Sequence, residues 1–297
     1  MRKWVLAMSL LAAASGVSYT KCVQAMSLDE PMSLLAQGDE FEVIHRPHMA
    51  PVHRGTLIFF APLLDPVGAK TGFTQLRSAL SRKGYDSYLV INHTSFSNSE
   101  SEKDAASPAS TPETPATPAD ENSASAESTA PSDEATGQKN EQSYVPPFQP
   151  PVLIVELDKY KSQLLAQLES VVEKANVTQK PISIFAVGQS AGLLSEYFTE
   201  YPDLPLQAIV AFNTYLPDPE RNRHISANFS IIAPAVFDIR DVHASSWSKA
   251  LVEQSTLWAQ KNQKFDYRQI NLIDELDNPQ QTAQISQEID GFLRRLF

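Results

Sequence analysis

A serine stands between two glycines in the segment Gly188-Gln-Ser-Ala-Gly192, directly after the apolar run 182–187. The motif G-x-S-x-G at a strand-to-helix turn is typical of a nucleophile elbow, because small residues let the chain turn sharply and lift the serine hydroxyl above a sheet. A helix N-terminus at that point stabilises negative charge. The pattern predicts Ser190 as the nucleophile of an ester or acyl hydrolase. A small-residue turn that only packs against the sheet is the alternative.

Such a serine needs a base, because its hydroxyl is a poor nucleophile at neutral pH. His243 comes shortly after the apolar run 235–238, His93 follows the run 87–91, and His224 lies between two predicted strands. We expect His243 and His93 on the side where the carboxyl ends of parallel strands meet, and His224 in the excursion after the fourth strand. We predict His243 as the base, because its strand lies two places from the elbow strand, roughly 10 Å at normal strand spacing.

Three further histidines, His45, His48 and His53, lie close together in sequence. Their spacing suggests a metal, but Pro47 and Pro51 preclude a regular helix, and no acidic pair lies nearby. A zinc site needs three or four oriented ligands. We therefore predict an extended, exposed segment and no metal site. The chain has no glycine-rich phosphate loop or dinucleotide fingerprint either, so no cofactor is predicted.

Hydrophobic periodicity gives the elements that would position these residues. Short apolar runs predict strands, and residues spaced by three or four predict helices. Buried strands that alternate with helices indicate a mostly parallel sheet with helices on both faces. The segment 26–52 predicts one or two antiparallel edge strands. The predicted strands are 56–61, 87–91, 182–187, 207–212, 235–238 and 267–272, and the predicted helices are 73–83, 152–175, 191–201, 219–228, 245–262 and 280–296.

Composition excludes several classes of protein. The 297 residues are 42% hydrophobic, enough for a sizeable core. A net charge of -11 argues against nucleic-acid binding, which requires a basic face. One cysteine excludes a disulfide framework and a cysteine-based zinc ribbon.

The first 25 residues read as a secretory signal peptide. Arg2 and Lys3 precede an apolar run from Trp4 to Val17, and Val23 and Ala25 are small residues at the positions before a cleavage site. The apolar run is shorter than the ~20 residues that a membrane-spanning helix needs. We predict cleavage near Ala25, a periplasmic or secreted location, and no transmembrane span in the mature chain.

An acidic insert interrupts the predicted domain. Residues 98–142 contain ten acidic residues, two lysines and no aromatic, leucine, isoleucine, valine or methionine residue. Such a segment cannot bury enough apolar surface to offset its chain entropy, so we predict disorder. The predicted organisation is a signal peptide over 1–25 and a single domain over 26–97 and 143–297, with the insert between its two parts.

With these elements and the elbow, the sequence resembles the α/β-hydrolase superfamily. It also resembles an uncharacterised bacterial family, domain of unknown function 3530, in five stretches. These are Gly72–Leu80, Lys83–Tyr85, Pro234–Ile239, Tyr267–Ile270 and Gly291–Leu293. The resemblance implies an α/β-hydrolase fold and brings no known substrate.

The superfamily resemblance implies roles for particular residues. The superfamily places the acid that orients the base just after the next-but-one strand, where Asp238 lies, with Asp241 close behind. The backbone N–H of Ala191 would form one half of an oxyanion hole. The other half would come from the loop near Pro62 and Leu63, although a proline has no N–H to donate.

The sequence departs from the superfamily at the base. The superfamily places a histidine after the last strand, and no histidine follows His243 in this chain. Two hypotheses therefore stay open. One is a serine esterase or acyl hydrolase that acts on a small acyl or ester substrate. The other is a degenerate hydrolase-fold module that binds an envelope protein partner.

Overall fold

The computed structural model describes residues 28–63, 68–91, 154–202, 204–242, 244–274, 276 and 278–297. Contacts between Cα atoms divide the chain into one unit of residues 1–93 and 145–297 and a second unit of 94–144. The second unit, the predicted signal peptide, the whole of the predicted insert, His93 and His243 lie outside the described residues. None of the described helices combines the length and apolar character that a membrane span requires.

Eight strands form one sheet in the order β1-β2-β4-β3-β5-β6-β7-β8. The strands are β1 Glu30–Ala36, β2 Asp39–Arg46, β3 Gly55–Phe60, β4 Tyr85–Ile91, β5 Ile182–Val187, β6 Ala208–Phe212, β7 Ala235–Arg240 and β8 Tyr267–Asn271. The β1–β2 and β2–β4 pairs are antiparallel, and every other pair is parallel. The fold class predicted from the sequence is confirmed.

Seven described helices accompany the sheet. They are α1 Gly68–Ser81, α2 Ile154–Asn176, α3 Gln189–Glu200, α4 Pro219–Ile231, α5 Ser246–Lys249, α6 Val252–Lys261 and α7 Pro279–Leu293. The single helix predicted over 245–262 is two helices, because the chain turns between Lys249 and Val252. Ser245 caps the first of them by accepting a hydrogen bond from the Ser248 N–H.

Helices cover both faces of the sheet. Along β3, Leu57 and Phe59 join a core formed with α1 and α7, while Ile58 and Phe60 join a core formed with α2, α3 and α4. A strand alternates its side chains between faces, so a strand covered on both sides must be apolar throughout. All six residues of β3 are buried for this reason.

The antiparallel edge begins with a tight hairpin. Gln37 and Gly38 both have positive φ, at 52° and 95°, and connect Ala36 to its partner Asp39. A two-residue turn with positive φ at both positions matches the right-handed twist of the strands it joins. The hairpin adds β1 and β2 beside β4, so the chain reaches β3 through the segment 47–54.

Candidate functional site

The sharp turn after β5 is held by Gly188 and not by Ser190. Gly188 has φ 58° and ψ -122°, and α3 begins at the next residue. A positive φ of this kind is costly for a residue with a side chain and free for glycine. In a hydrolase elbow the nucleophile itself occupies the sharp turn. Here Ser190 comes two residues later, inside the first turn of α3.

The Ser190 hydroxyl is turned into the protein. The side chain is 0% exposed. Its Oγ donates a hydrogen bond to the Ala61 carbonyl oxygen at 2.6 Å and lies 2.8 Å from the Tyr160 hydroxyl of α2. A main-chain carbonyl accepts the hydrogen bond but cannot take the proton, so this contact does not activate the hydroxyl.

The space above the turn is lined by residues of two neighbouring loops. A Cβ built on Gly188 would lie 3.5 Å from Pro62 Cβ and 3.5 Å from Tyr215 Cε1, which are ordinary contact distances. The Gln189 side-chain amide donates to the Tyr215 hydroxyl. Gly192, by contrast, is packed tightly, since a Cβ there would meet Leu216 Cγ at 2.7 Å. There is space for a Cβ at the turn, although the positive φ would strain any residue other than glycine, and there is no space at the second glycine of the motif.

The three residues predicted for the oxyanion hole have different environments. Ala191 is buried in the first turn of α3, where the first intrahelical bond runs from the Gly192 N–H to the Gly188 carbonyl at 3.3 Å. The Ala191 N–H precedes that bond, so it is one of the N–H groups that a helix start leaves without a helical partner. Pro62 is next to Gly188, and the Leu63 side chain packs into the core. Their catalytic roles stay predictions.

Asp238 lies inside β7, two residues before its end, because the strand continues past the predicted boundary to Arg240. Its Oδ2 lies 2.7 Å from Arg240 Nη2 and accepts a hydrogen bond from the Tyr267 hydroxyl at 3.0 Å. Burial raises the pKa of the Asp238 carboxyl, and Arg240 and Tyr267 oppose that rise. The geometry ties this carboxylate to the sheet between β7 and β8.

Asp241 is the acid that directly follows β7. Its Oδ1 accepts a hydrogen bond from Asn213 Nδ2 at 2.8 Å, and its N–H donates to Asn213 Oδ1 at 3.0 Å. Asn213 directly follows β6, so this reciprocal pair joins the carboxyl ends of two strands. Asp241 therefore stands at the edge of the sheet where Asp238 was expected.

The candidate bases are not brought to Ser190 within the described part of the chain. His243 and His93 lie outside that part, and His224 is exposed on α4. Tyr160 is the contact that sequence reasoning missed: it was counted only as one residue of the apolar stripe of a helix. The one signal of this contact in the sequence was the tyrosine hydroxyl itself, because a buried tyrosine needs a hydrogen-bond partner.

A family profile described as "Protein of unknown function (DUF3530)" matches residues 21–295. This chain belongs to the DUF3530 family. The resemblance found in the sequence is therefore confirmed for this member of DUF3530. No curated protein sequence matches it.

Solved structures similar to this DUF3530 protein are α/β hydrolases. A dienelactone hydrolase from Anabaena variabilis has a TM-score of 0.53 and 10% identity, over 91% of this chain and 98% of that chain. A Klebsiella pneumoniae protein proposed to be a dienelactone hydrolase has a TM-score of 0.54 and 15% identity, over 90% of this chain and 98% of that chain. A Xanthomonas campestris serine hydrolase without a lid has a TM-score of 0.51 and 12% identity, over 90% of this chain and 94% of that chain. At these identities the likeness establishes the hydrolase fold alone.

Proposed function

We propose that this protein is a non-catalytic α/β-hydrolase-fold module that binds a partner or ligand at the carboxyl edge of its sheet. The observation that carries the proposal is the glycine at the sharp turn, with the nearest serine hydroxyl buried against Ala61 and Tyr160. The residue at the turn, Gly188, is itself buried and has no side chain to act as a nucleophile.

The proposed location is the periplasm or the extracellular medium, and the proposed partner is a component of the cell envelope. The support is the signal pattern of Arg2, Lys3 and the apolar run ending at Val17. Ligands of open α/β sheets bind outside the carboxyl ends of the strands, so Pro62, Tyr215 and Asn213 are the proposed contact residues.

The first experiment compares the two positions by cysteine accessibility. In a Cys22→Ser background, Gly188→Cys and Ser190→Cys each place a single thiol in the chain. The proposal expects iodoacetamide to modify the thiol at 188 faster than the thiol at 190, because the latter points into the core. Equal rates in denaturant serve as the control. Faster reaction at 190 in the folded protein would contradict the proposal.

A second experiment asks directly about catalysis. The purified mature protein is treated with a fluorophosphonate probe beside its Ser190→Ala variant. The proposal expects no labelling of either protein. Labelling that disappears in Ser190→Ala would establish an activated hydroxyl and overturn the non-catalytic assignment.

The second candidate function is a serine esterase or acyl hydrolase that uses Ser190. The hydroxyl of Tyr160, 2.8 Å from Ser190 Oγ, is the observation in its favour, because a tyrosine can act in proton transfer. This candidate expects Ser190-dependent labelling and hydrolysis of simple acyl esters, with both lost in Tyr160→Phe. The same fluorophosphonate experiment therefore separates the two candidates.

Binding at the carboxyl edge can be tested in cells. A photo-crosslinking amino acid replaces Tyr215, beside the turn, or Leu257, which is 62% exposed on α6. The proposal expects an envelope-fraction adduct from position 215 and none from position 257. Adducts of equal yield from both positions would mean nonspecific contact and would contradict a site at this edge.

A further inference from the structure

We propose that His48, His53 and Asp86 form a binding site for a divalent transition-metal ion, with zinc as the representative ion. The ligand atoms of these three residues all lie within 4.8 Å of one another. The site is at the amino ends of β3 and β4, opposite the edge that carries Gly188.

The sequence separates the acid from the histidines, and the sheet brings them together. His48 follows β2, His53 precedes β3, and Asp86 is the second residue of β4. Because β2 runs antiparallel to β4 and β3 runs parallel to it, the end of β2 and the starts of β3 and β4 meet at one edge. The sequence prediction of no metal site counted only acids near residues 45–53 and so missed Asp86.

The distances suit a shared ion. His48 Nδ1 lies 2.8 Å from Asp86 Oδ1, and His53 Nε2 lies 3.3 Å from Asp86 Oδ2. Neighbouring ligand atoms of a tetrahedral zinc ion are separated by about 3.3 Å. The two contacts reach different oxygens of Asp86, and no two of the chosen ligand atoms of the three residues are more than 4.8 Å apart. Each pair is therefore within about 1.5 Å of the separation that zinc requires, and small side-chain rotations would bring the ligands together.

Neighbouring groups order the three ligands. The His48 N–H donates to Asp86 Oδ1 at 2.7 Å, which fixes the carboxylate. The rings of His48 and His53 stack, with centroids 4.5 Å apart and planes 8° apart. Because an imidazole binds a metal in the plane of its ring, one of the two rings would have to rotate out of this stack when the ion enters. The side chains of His53 and Asp86 are 15% and 11% exposed, while that of His48 is 30% exposed. The cluster is therefore ordered by its neighbours and still open to solvent on one side.

The donor set defines the class of ion. Two imidazoles and one carboxylate suit zinc, nickel, cobalt or copper better than calcium or magnesium, which prefer oxygen ligands alone. The Gly55 carbonyl oxygen lies 3.1 Å from His53 Nε2 and, like a water molecule, could complete four-coordination. His45 is not a member of the cluster, because its ring stacks on Tyr88 with centroids 4.6 Å apart.

The experiment uses the full chain without an affinity tag, after treatment with a chelator and its removal. Zinc chloride is titrated by calorimetry, and cobalt chloride by visible absorption, in which tetrahedral coordination gives intense bands. The proposal expects one tightly bound ion per chain and the cobalt bands. It also expects affinity to fall at least tenfold in His48→Gln and in His53→Gln.

His224→Gln is the matched control, since His224 is an exposed histidine on α4. It should bind as the wild type does. Circular dichroism confirms that each variant is folded, and the double variant His48→Gln/His53→Gln should lose the cobalt bands. Absence of stoichiometric binding in the folded wild type, or an affinity unchanged in the double variant, would overturn the proposal.

Discussion

At the carboxyl edge of the sheet the Ser190 hydroxyl is fully buried, whereas at the amino edge His48 and His53 keep one side open to solvent and share a single carboxylate. The first edge carries a recognisable five-residue motif, and the second carries none. The motif describes only local sequence, and its chemistry depends on which residue occupies the turn. The second group depends on strand pairing and is invisible to any local pattern.

The largest expected effect is on the stability of a variant at Asp238. The sequence assigns this residue to a catalytic site at the carboxyl edge, but in the structure it forms an ion pair with Arg240. Asp238→Ala leaves the Arg240 guanidinium, only 2% exposed, without its ion-pair partner. We expect the free energy of unfolding to fall by about 3–5 kcal/mol, as for other broken buried ion pairs. Urea denaturation followed by circular dichroism measures it.

Asp241→Ala is the comparison for that experiment. Asp241 is only partly buried and bonds to Asn213 at the end of the strand. We expect its loss to cost about 1 kcal/mol, the usual value of one hydrogen bond. If Asp238→Ala were as stable as the wild type, the carboxylate would have to be free for another task, and the catalytic interpretation would gain support.

The next effect tests whether Ser190 is a structural residue. Ser190→Ala leaves the buried Ala61 carbonyl and the Tyr160 hydroxyl without this partner, so we expect a loss of about 1–3 kcal/mol in unfolding free energy. Ser195→Ala is the control on the same helix. Its hydroxyl donates only to the Gly192 carbonyl of its own helix, so its removal should cost less. An unchanged stability for Ser190→Ala would weaken the contrast between the two edges.

The smallest expected effect is the pH dependence of stability that His45 causes, as distinct from that of His48 and His53. Burial lowers the pKa of the His45 imidazole below its usual value of 6.5. The unfolded chain then binds the proton more readily than the folded chain does. The contribution of His45 to stability is therefore fully present above the pKa of the unfolded state, and it is lost as the pH falls from that value to the pKa of the folded state. His45→Phe keeps a ring against Tyr88 and removes this titration.

The measurement for His45 is the difference in unfolding free energy between about pH 7.5 and about pH 5.5. We expect the loss on acidification to be smaller in His45→Phe, and the difference to be small because Asp86 and Glu30 oppose the effect of burial on the pKa. An identical pH dependence in the two proteins would assign the whole effect to the remaining histidines.

The sequence predicted the elements of the parallel sheet well. The run 182–187 is β5 to the residue, and the other predicted strands match with ends that differ by two residues or fewer. Apolar runs reveal such strands because both faces are covered. The single helix predicted over 245–262 was wrong, since periodicity alone does not detect the turn between α5 and α6.

The site was less predictable, because its geometry is decided by single residues. The five-residue motif could not tell whether Gly188 or Ser190 takes the turn, since that depends on where β5 ends and α3 begins. Likewise Asp238 was placed after β7 because the strand was predicted too short. Asp86 joined His48 only through a strand register that no single sequence displays.

Gly188 also bears on how this scaffold could change over evolutionary time. A single nucleotide change converts a glycine codon such as GGC into a serine codon. A serine at 188 would have its Cβ at ordinary contact distance from Pro62 and Tyr215, but it would bear the strain of the positive φ that glycine adopts freely. The single substitution Gly188→Ser would thus place a hydroxyl at the turn at some cost in stability, and a search for gained hydrolase activity should begin at that residue.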